Sequence, residues 1–174
     1  MVDAAQAAGA FGFLGREKVK TTAVDILLGP ASGDFACVLV TARDGKVLQE
    51  SARLLISTPG YALASFPGSK PPRPQNFVLY PGTKDWWTLE PELPGHPSGN
   101  RGGGASPVWM ERVESVVTLR SAAKKLTVYP LDGAGGRLPC LPAGAVKVLR
   151  DAFDIHLQGE GQTFAPWYEV VAAF

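Results

Sequence analysis

Hydrophobic and polar residues alternate at every second position in several short runs of this chain, as they do in half-buried β-strands. In the run 108–120, Val113, Val117 and Leu119 fall on one face, and mostly charged or polar residues fall on the other. Phe153, Ile155 and Leu157 alternate with polar residues in the same way. Each run therefore predicts an antiparallel strand with one covered face.

The stretch 34–58 shows a different pattern and predicts the central hairpin of the fold. Residues Phe35 to Val40 are apolar on both faces, which is typical of a strand covered on both sides. Asp44-Gly45 tolerates the positive φ angles of a type I′ turn, and Arg53 to Thr58 resumes an apolar run. We therefore expect two buried strands joined by a two-residue turn.

Other short apolar runs complete an all-β pattern. We expect further strands over 10–15, 22–28, 126–131 and 167–172, and one short helix near 145–151. Many short strands with turn signals between them indicate a sandwich or a barrel. We favour a two-sheet antiparallel β-sandwich, jelly-roll-like, with less than about one tenth helix against the usual third.

A segment rich in proline and glycine interrupts this pattern over 67–107. Runs such as SKPPRPQ and GHPSGNRGGGASP sustain neither a helix nor a strand ladder. Long loops of this kind are usually functional or act as linkers. We interpret residues 1–174 as a single sandwich domain that carries this segment as a loop.

Composition excludes several classes of partner. The chain has 174 residues, 45% of them hydrophobic, and a formal charge of +1, so it carries no cationic excess for nucleic acid. No apolar run is long enough to cross a bilayer, and the first residues lack the basic region of a signal peptide. We expect a monomer in which Cys37 and Cys140 are unpaired.

Catalytic groups are sparse. Neither His96 nor His156 lies in a nucleophile motif, and the spacing of histidines and cysteines does not fit a metal site, so we expect no cofactor and no metal. Glu111 is the one unusual carboxylate, because alternation places it among apolar side chains. We expect it to face inward and to be ion-paired, with a partner such as Arg53 or Arg112, or hydrogen-bonded. A glycosidase would need a second acid that the sequence does not mark.

Aromatic residues concentrate within the Pro/Gly-rich segment. Tyr80, Trp86 and Trp87, with Asp85 beside them, could form a platform on which sugar rings stack. The alternative is a loop that uses its aromatic side chains to attach itself to the sandwich. Successive side chains of an extended segment alternate, so one indole ring should face the sandwich and the other should face solvent.

The order of segments resembles a known family. DFACVLVTARDGKVLQESARLLIST, PVWMERVESVVTL, LTVYPLDGAGGRL and PWYEVV follow one another across residues 34–172. This order resembles the β-sandwich domain that follows the catalytic barrel in certain bacterial glycoside hydrolases. The chain departs from that family between Tyr61 and Pro107, where the family has a shorter crossing. The positions that match it are Asp44, Gly45, Ser51, Glu111 and Tyr168.

The resemblance implies a non-catalytic module of an extracellular or periplasmic protein, attached to a catalytic domain in the parent chain. Two functions then compete. One is a carbohydrate-binding module that holds a polysaccharide or oligosaccharide, of the plant β-glucan type, through Trp86, Trp87, Tyr80 and Asp85. The other is an accessory sandwich that supports a hydrolase barrel without binding any ligand. A free-standing hydrolase that uses Glu111 is a third hypothesis.

Overall fold

A computed structural model of the chain describes residues 1–91 and 104–174, and these contain only strands, turns and two short 3₁₀ helices. They form two compact units. We call Met1–Gly60 together with Glu111–Phe174 the sandwich unit, and Tyr61–Met110 the inserted unit. The predicted all-β class and the low helix content are confirmed, whereas the single-domain interpretation stays a prediction.

The strands of the sandwich unit form two antiparallel sheets. The strands are Val2–Ala4 (β1), Ala7–Phe13 (β2), Val19–Lys20 (β3), Val24–Leu28 (β4), Phe35–Ala42 (β5), Arg53–Ser57 (β6), Ser115–Arg120 (β11), Lys125–Pro130 (β12), Val146–Val148 (β13), Ala152–Leu157 (β14) and Trp167–Ala173 (β15). The first sheet has six strands in the order β1-β2-β5-β6-β15-β12, and the second has five in the order β13-β14-β11-β4-β3.

One hydrophobic core lies between these sheets. The inward-facing side chains of β5, β6 and β14 alternate with exposed or half-exposed neighbours, as a period of two requires. Strand β11 follows the same pattern except at Thr118, which is also buried. The fully buried residues include Val38, Ile56, Leu119, Ile155 and Tyr168. The faces predicted for 113–119 and 153–157 are therefore confirmed.

The central hairpin has the predicted strands and a different connection. Strands β5 and β6 pair with Ala42 opposite Leu54, so the connection is a loop with a 3₁₀ turn at Leu48–Glu50 and not a two-residue type I′ turn. Leu48 is fully buried in the core and draws the loop inward. The Asp44 carboxylate accepts hydrogen bonds from Ser51 Oγ at 2.8 Å and from the Ala52 N–H at 2.7 Å, which closes the loop.

Three further expectations are corrected by the structure. Strand β5 is covered on one face only, because Phe35, Cys37 and Leu39 are half-buried. The run 108–120 is divided between the two units, and the chain leaves the ladder where the Glu114 carbonyl accepts the Gly29 N–H at 2.7 Å. The expected helix over 145–151 is a 3₁₀ turn, Ala143–Ala145, followed by β13, because the β-branched valines of β13 pair with β14.

The described residues of the inserted unit contain four strands, and three of these overlap the segment 67–107 that was predicted to be a loop without ladders. Ala62–Ser65 (β7) pairs with Ala105–Met110 (β10), and Phe77–Leu79 (β8) pairs with Trp87–Leu89 (β9). Ser65 joins the first pair to its surroundings, since its hydroxyl accepts the Trp109 indole N–H at 2.7 Å and donates to the Pro107 carbonyl at 2.7 Å. Proline and glycine therefore mark the turns of this unit, and short ladders form between them.

Candidate functional site

The predicted site residues lie on the β8–β9 hairpin of the inserted unit. Leu79 faces Trp87 across the hairpin, and the Tyr80 N–H donates to the Trp86 carbonyl at 2.7 Å. Side chains on each strand alternate between the two faces. Tyr80 and Trp86 therefore share one face, while Leu79 and Trp87 share the other. The structure thus brings Tyr80, Asp85 and the two tryptophans together on one short hairpin.

The hairpin tip begins with a tight turn. Pro81 and Gly82 occupy its central positions, Gly82 has a φ of +78°, and the Thr83 N–H donates to the Tyr80 carbonyl at 3.1 Å. Proline followed by a residue with positive φ is the signature of a type II turn. Thr83 Oγ1 adds a second bond to the Tyr80 carbonyl at 2.8 Å. These two hydrogen bonds from Thr83 therefore fix the backbone position of Tyr80.

A charged network holds the base of the hairpin. The Glu90 carboxylate pairs with the Arg73 guanidinium and accepts the backbone N–H of Asn76 at 3.0 Å and its side-chain amide at 3.2 Å. The hydrogen bond from Arg73 is the main reason that the pKa of Glu90 is lowered. Arg73 also lies over the Phe66 ring, 4.7 Å from its centroid. Glu90 therefore belongs to the hairpin's scaffold.

Both tryptophans are largely exposed. The exposed fraction is 66% for Trp86 and 65% for Trp87, so the expectation that one ring would be buried is wrong. The two rings lie on opposite faces of the hairpin, as predicted. Both rings are exposed, because neither face of the hairpin is covered at these positions. Neither Trp86 nor Trp87 belongs to the hydrophobic core.

Tyr80 and Trp86 form an aromatic corner. Their ring centroids are 6.1 Å apart and their planes meet at 76°, an edge-to-face arrangement that aromatic pairs favour. Tyr80 is 36% exposed, about half as much as its partner. We call this pair the Tyr80–Trp86 corner.

Two exposed charged residues directly precede Trp86 in the chain. Lys84 and Asp85 are exposed, and neither forms a side-chain hydrogen bond or an ion pair within residues 1–91 and 104–174. Their donor and acceptor capacity is therefore directed to solvent or to a ligand. Uncharged sugars are recognised by this combination of an apolar ring face and polar groups.

Glu111 is half-buried and hydrogen-bonded, which was one of the two expected alternatives, but it forms no ion pair in the described part of the chain. Its Oε1 accepts the Gly33 N–H at 3.3 Å, while Oε2 is buried there without a hydrogen-bond partner. Arg53 pairs with Glu169 at 2.7 Å, and the Arg112 guanidinium donates to the Gln158 and Gly159 carbonyls. Both arginines therefore bind acceptors other than Glu111.

The remaining titratable candidates lie apart from the hairpin. His156 is half-buried on the outer face of β14 and lines a cavity of about 480 Å³ together with Cys140, Lys147 and Glu160. Both cysteines are free, as predicted. The described residues contain no cluster of three His, Cys, Asp or Glu side chains that could hold a metal ion. His96 lies outside the described residues.

Sequence reasoning missed two features that shape the surface and the interior. Phe11 and Phe13 project from the outer face of β2 with exposed fractions of 69% and 80%, and the motif FGF was the available signal. Gln158 is fully buried at a φ of +56°, and it binds Val113, Thr58 and Ala165 through its side-chain amide. A single glutamine after a strand gives no sequence signal for such a role.

Comparison with known protein families, with curated proteins and with solved structures finds no match to this chain. No helix in the described ranges is long and apolar enough to cross a membrane.

Proposed function

We propose that the chain is a non-catalytic carbohydrate-binding module that holds a polysaccharide of the plant β-glucan type at the β8–β9 hairpin. The observation that carries the proposal is the exposure of Trp86 and Trp87, about two thirds in each case. On one face of the hairpin Trp86 forms contiguous exposed apolar surface with Tyr80, and such surface tends to mark a binding site. The parent protein is then extracellular or periplasmic, with catalysis in another domain.

Three observations support a sugar as the ligand. The Tyr80–Trp86 corner offers an aromatic face, and its neighbours Lys84 and Asp85 offer a donor and an acceptor. The Glu90 network and the type II turn hold the hairpin before any ligand arrives. A site organised in advance loses less conformational entropy on binding.

Affinity electrophoresis tests this function. The chain is run in gels with and without soluble β-glucan, beside Trp86→Ala and Trp87→Ala. Retardation of the unsubstituted chain is expected, and loss of retardation in at least one variant that stays folded assigns the binding to the hairpin. If a panel of soluble and insoluble plant and bacterial glycans gives no retention, the chain is not a carbohydrate-binding module.

A second candidate function is the accessory role, in which the sandwich supports a catalytic domain. Phe11 and Phe13 favour it, because each packs edge-to-face on Phe35, at 5.2 and 5.3 Å, and still exposes most of its ring. Cys37 and Leu39 continue this half-buried apolar face. A face made mainly of apolar side chains suits a protein surface better than a hydroxylated ligand.

The double variant Phe11→Ser/Phe13→Ser separates the two functions. If the face supports a catalytic domain, the parent protein should lose thermal stability, while the isolated 174-residue chain should not. Glycan retention should be unchanged by these substitutions. Equal stability of the parent protein with and without them would remove the accessory role.

A further inference from the structure

The angle within the Tyr80–Trp86 corner limits the physical form of ligand that it can take. A crystalline polysaccharide presents a flat surface, and several aromatic rings can bind it together only when their faces lie in one plane. The planes of Tyr80 and Trp86 meet at 76°. Two rings at this angle cannot both lie flat on the same surface.

Trp87 does not supply the missing coplanar ring. It pairs with Leu79 and therefore lies on the opposite face of the hairpin from Trp86. A flat surface that meets one indole face from one side of the hairpin is out of reach of the other. Trp86 thus has neither Tyr80 nor Trp87 as a coplanar partner, although both tryptophans are exposed.

A corner has the shape needed for one sugar ring. A sugar ring that stacks on the exposed Trp86 indole would have Tyr80 as the neighbouring aromatic side chain, since the two ring centroids are 6.1 Å apart. The hydroxyl groups around that sugar need hydrogen-bond partners as water leaves. Lys84 and Asp85 directly precede Trp86 in the chain, are exposed, and have donor and acceptor groups free of bonds to residues 1–91 and 104–174.

We infer that the Tyr80–Trp86 corner binds a single, non-crystalline glucan chain at one sugar unit, and that Trp87 takes no part in this contact. The inference rests on the proposed carbohydrate-binding function and specifies the form of its ligand. Stacking on one aromatic ring contributes modestly, by analogy with bases on aromatic side chains, so removal of Trp86 should weaken binding about tenfold or more.

The experiment compares two forms of the same β-linked glucose polymer. Dissociation constants for soluble mixed-linkage β-glucan are measured by affinity electrophoresis, and adsorption to microcrystalline cellulose is measured by sedimentation. The variants are Trp86→Ala and, as the matched control on the opposite face, Trp87→Ala. We expect retention by the soluble glucan, about a tenfold loss for Trp86→Ala, at most about a twofold change for Trp87→Ala, and no adsorption to cellulose.

The outcomes separate this inference from the proposed function. Adsorption to cellulose at least as strong as binding to the soluble glucan overturns the single-chain inference and leaves carbohydrate binding in place. Equal losses in Trp86→Ala and Trp87→Ala, with circular dichroism showing both folded, overturn the assignment to the corner. Absence of retention on both glucans and on the wider glycan panel overturns the proposed function as well.

Discussion

At the scale of single residues, the most consequential side chain of the sandwich unit is Gln158. Its Oε1 accepts the Val113 N–H at 2.8 Å, and its Nε2 donates to the Thr58 hydroxyl at 2.8 Å and to the Ala165 carbonyl at 3.0 Å. Thr58 and Val113 lie close to the two points where the chain leaves and re-enters the sandwich unit. One buried side-chain amide therefore joins the two chain segments at this junction to the loop between β14 and β15.

Replacement of Gln158 by alanine should be strongly destabilising. The change leaves a buried N–H and buried oxygens without partners, and each such group costs about 1–3 kcal/mol. We expect the free energy of unfolding to fall by about 2–4 kcal/mol in urea titrations.

The matched control is Gln6→Ala, since Gln6 is exposed and donates one side-chain hydrogen bond, to the Gly45 carbonyl at 2.7 Å. This variant should lose less than about 1 kcal/mol. Similar losses for the two glutamine variants would contradict the role assigned to Gln158.

At the scale of elements, the β8–β9 hairpin illustrates how a short ladder forms in a segment of unfavourable composition. An isolated two-stranded hairpin is marginal in water. Here the base is held by the Arg73–Glu90–Asn76 network, and the tip is held by the Pro81-Gly82 turn. The hairpin's stability therefore depends on a few polar contacts more than on burial.

Glu90→Ala should loosen the hairpin while the sandwich unit keeps its stability. The substitution removes the acceptor of the Asn76 N–H and the partner of Arg73. Amide hydrogen exchange over 77–89 should accelerate about fivefold or more, since opening costs roughly 1 kcal/mol less.

Glu50→Ala serves as the control for this experiment, because Glu50 is an exposed carboxylate of the sandwich unit. It should leave exchange in the hairpin unchanged. Unaltered exchange over 77–89 in Glu90→Ala would show that the network does not hold the hairpin.

At the scale of the whole molecule, the sequence pattern predicted the strands better than the loops that connect them. Period-two alternation identified the strands around Val117 and Ile155, because side-chain burial follows local geometry. It could not show that Leu48 enters the core and lengthens the loop after β5, since that depends on core side chains that are distant in the sequence. It also missed that both tryptophans are exposed, because the coverage of a hairpin face depends on the rest of the fold.

Acid should weaken one charge network, which joins β6 and β15 to the loop that follows β12. The Glu169 carboxylate binds Arg137 Nε at 2.6 Å and Arg53 Nη2 at 2.7 Å, and these contacts, Arg137 first, lower its pKa from 4.5 to about 2. The folded state thus takes up the proton at lower pH than the unfolded chain. The resulting stability is present above about pH 4.5 and is lost as the pH falls toward 2.

Glu169→Gln should therefore flatten the decline in stability between pH 5 and pH 2. Urea titrations across this range measure it, and the difference from the unsubstituted chain should be about 1 kcal/mol at neutral pH, since both arginines are substantially exposed. Glu50→Gln provides the exposed control. An identical pH dependence in Glu169→Gln and the unsubstituted chain would contradict this account.

The most direct test of the central claim, that the hairpin binds a glucan through Trp86, is a fluorescence titration with a soluble β-glucan hexasaccharide. Tryptophan emission should shift to the blue as water leaves the indole of Trp86. Trp87→Phe should keep this shift, and Trp86→Phe should lose it while remaining folded. An unchanged spectrum at saturating hexasaccharide, or a shift that survives in Trp86→Phe, would contradict the claim.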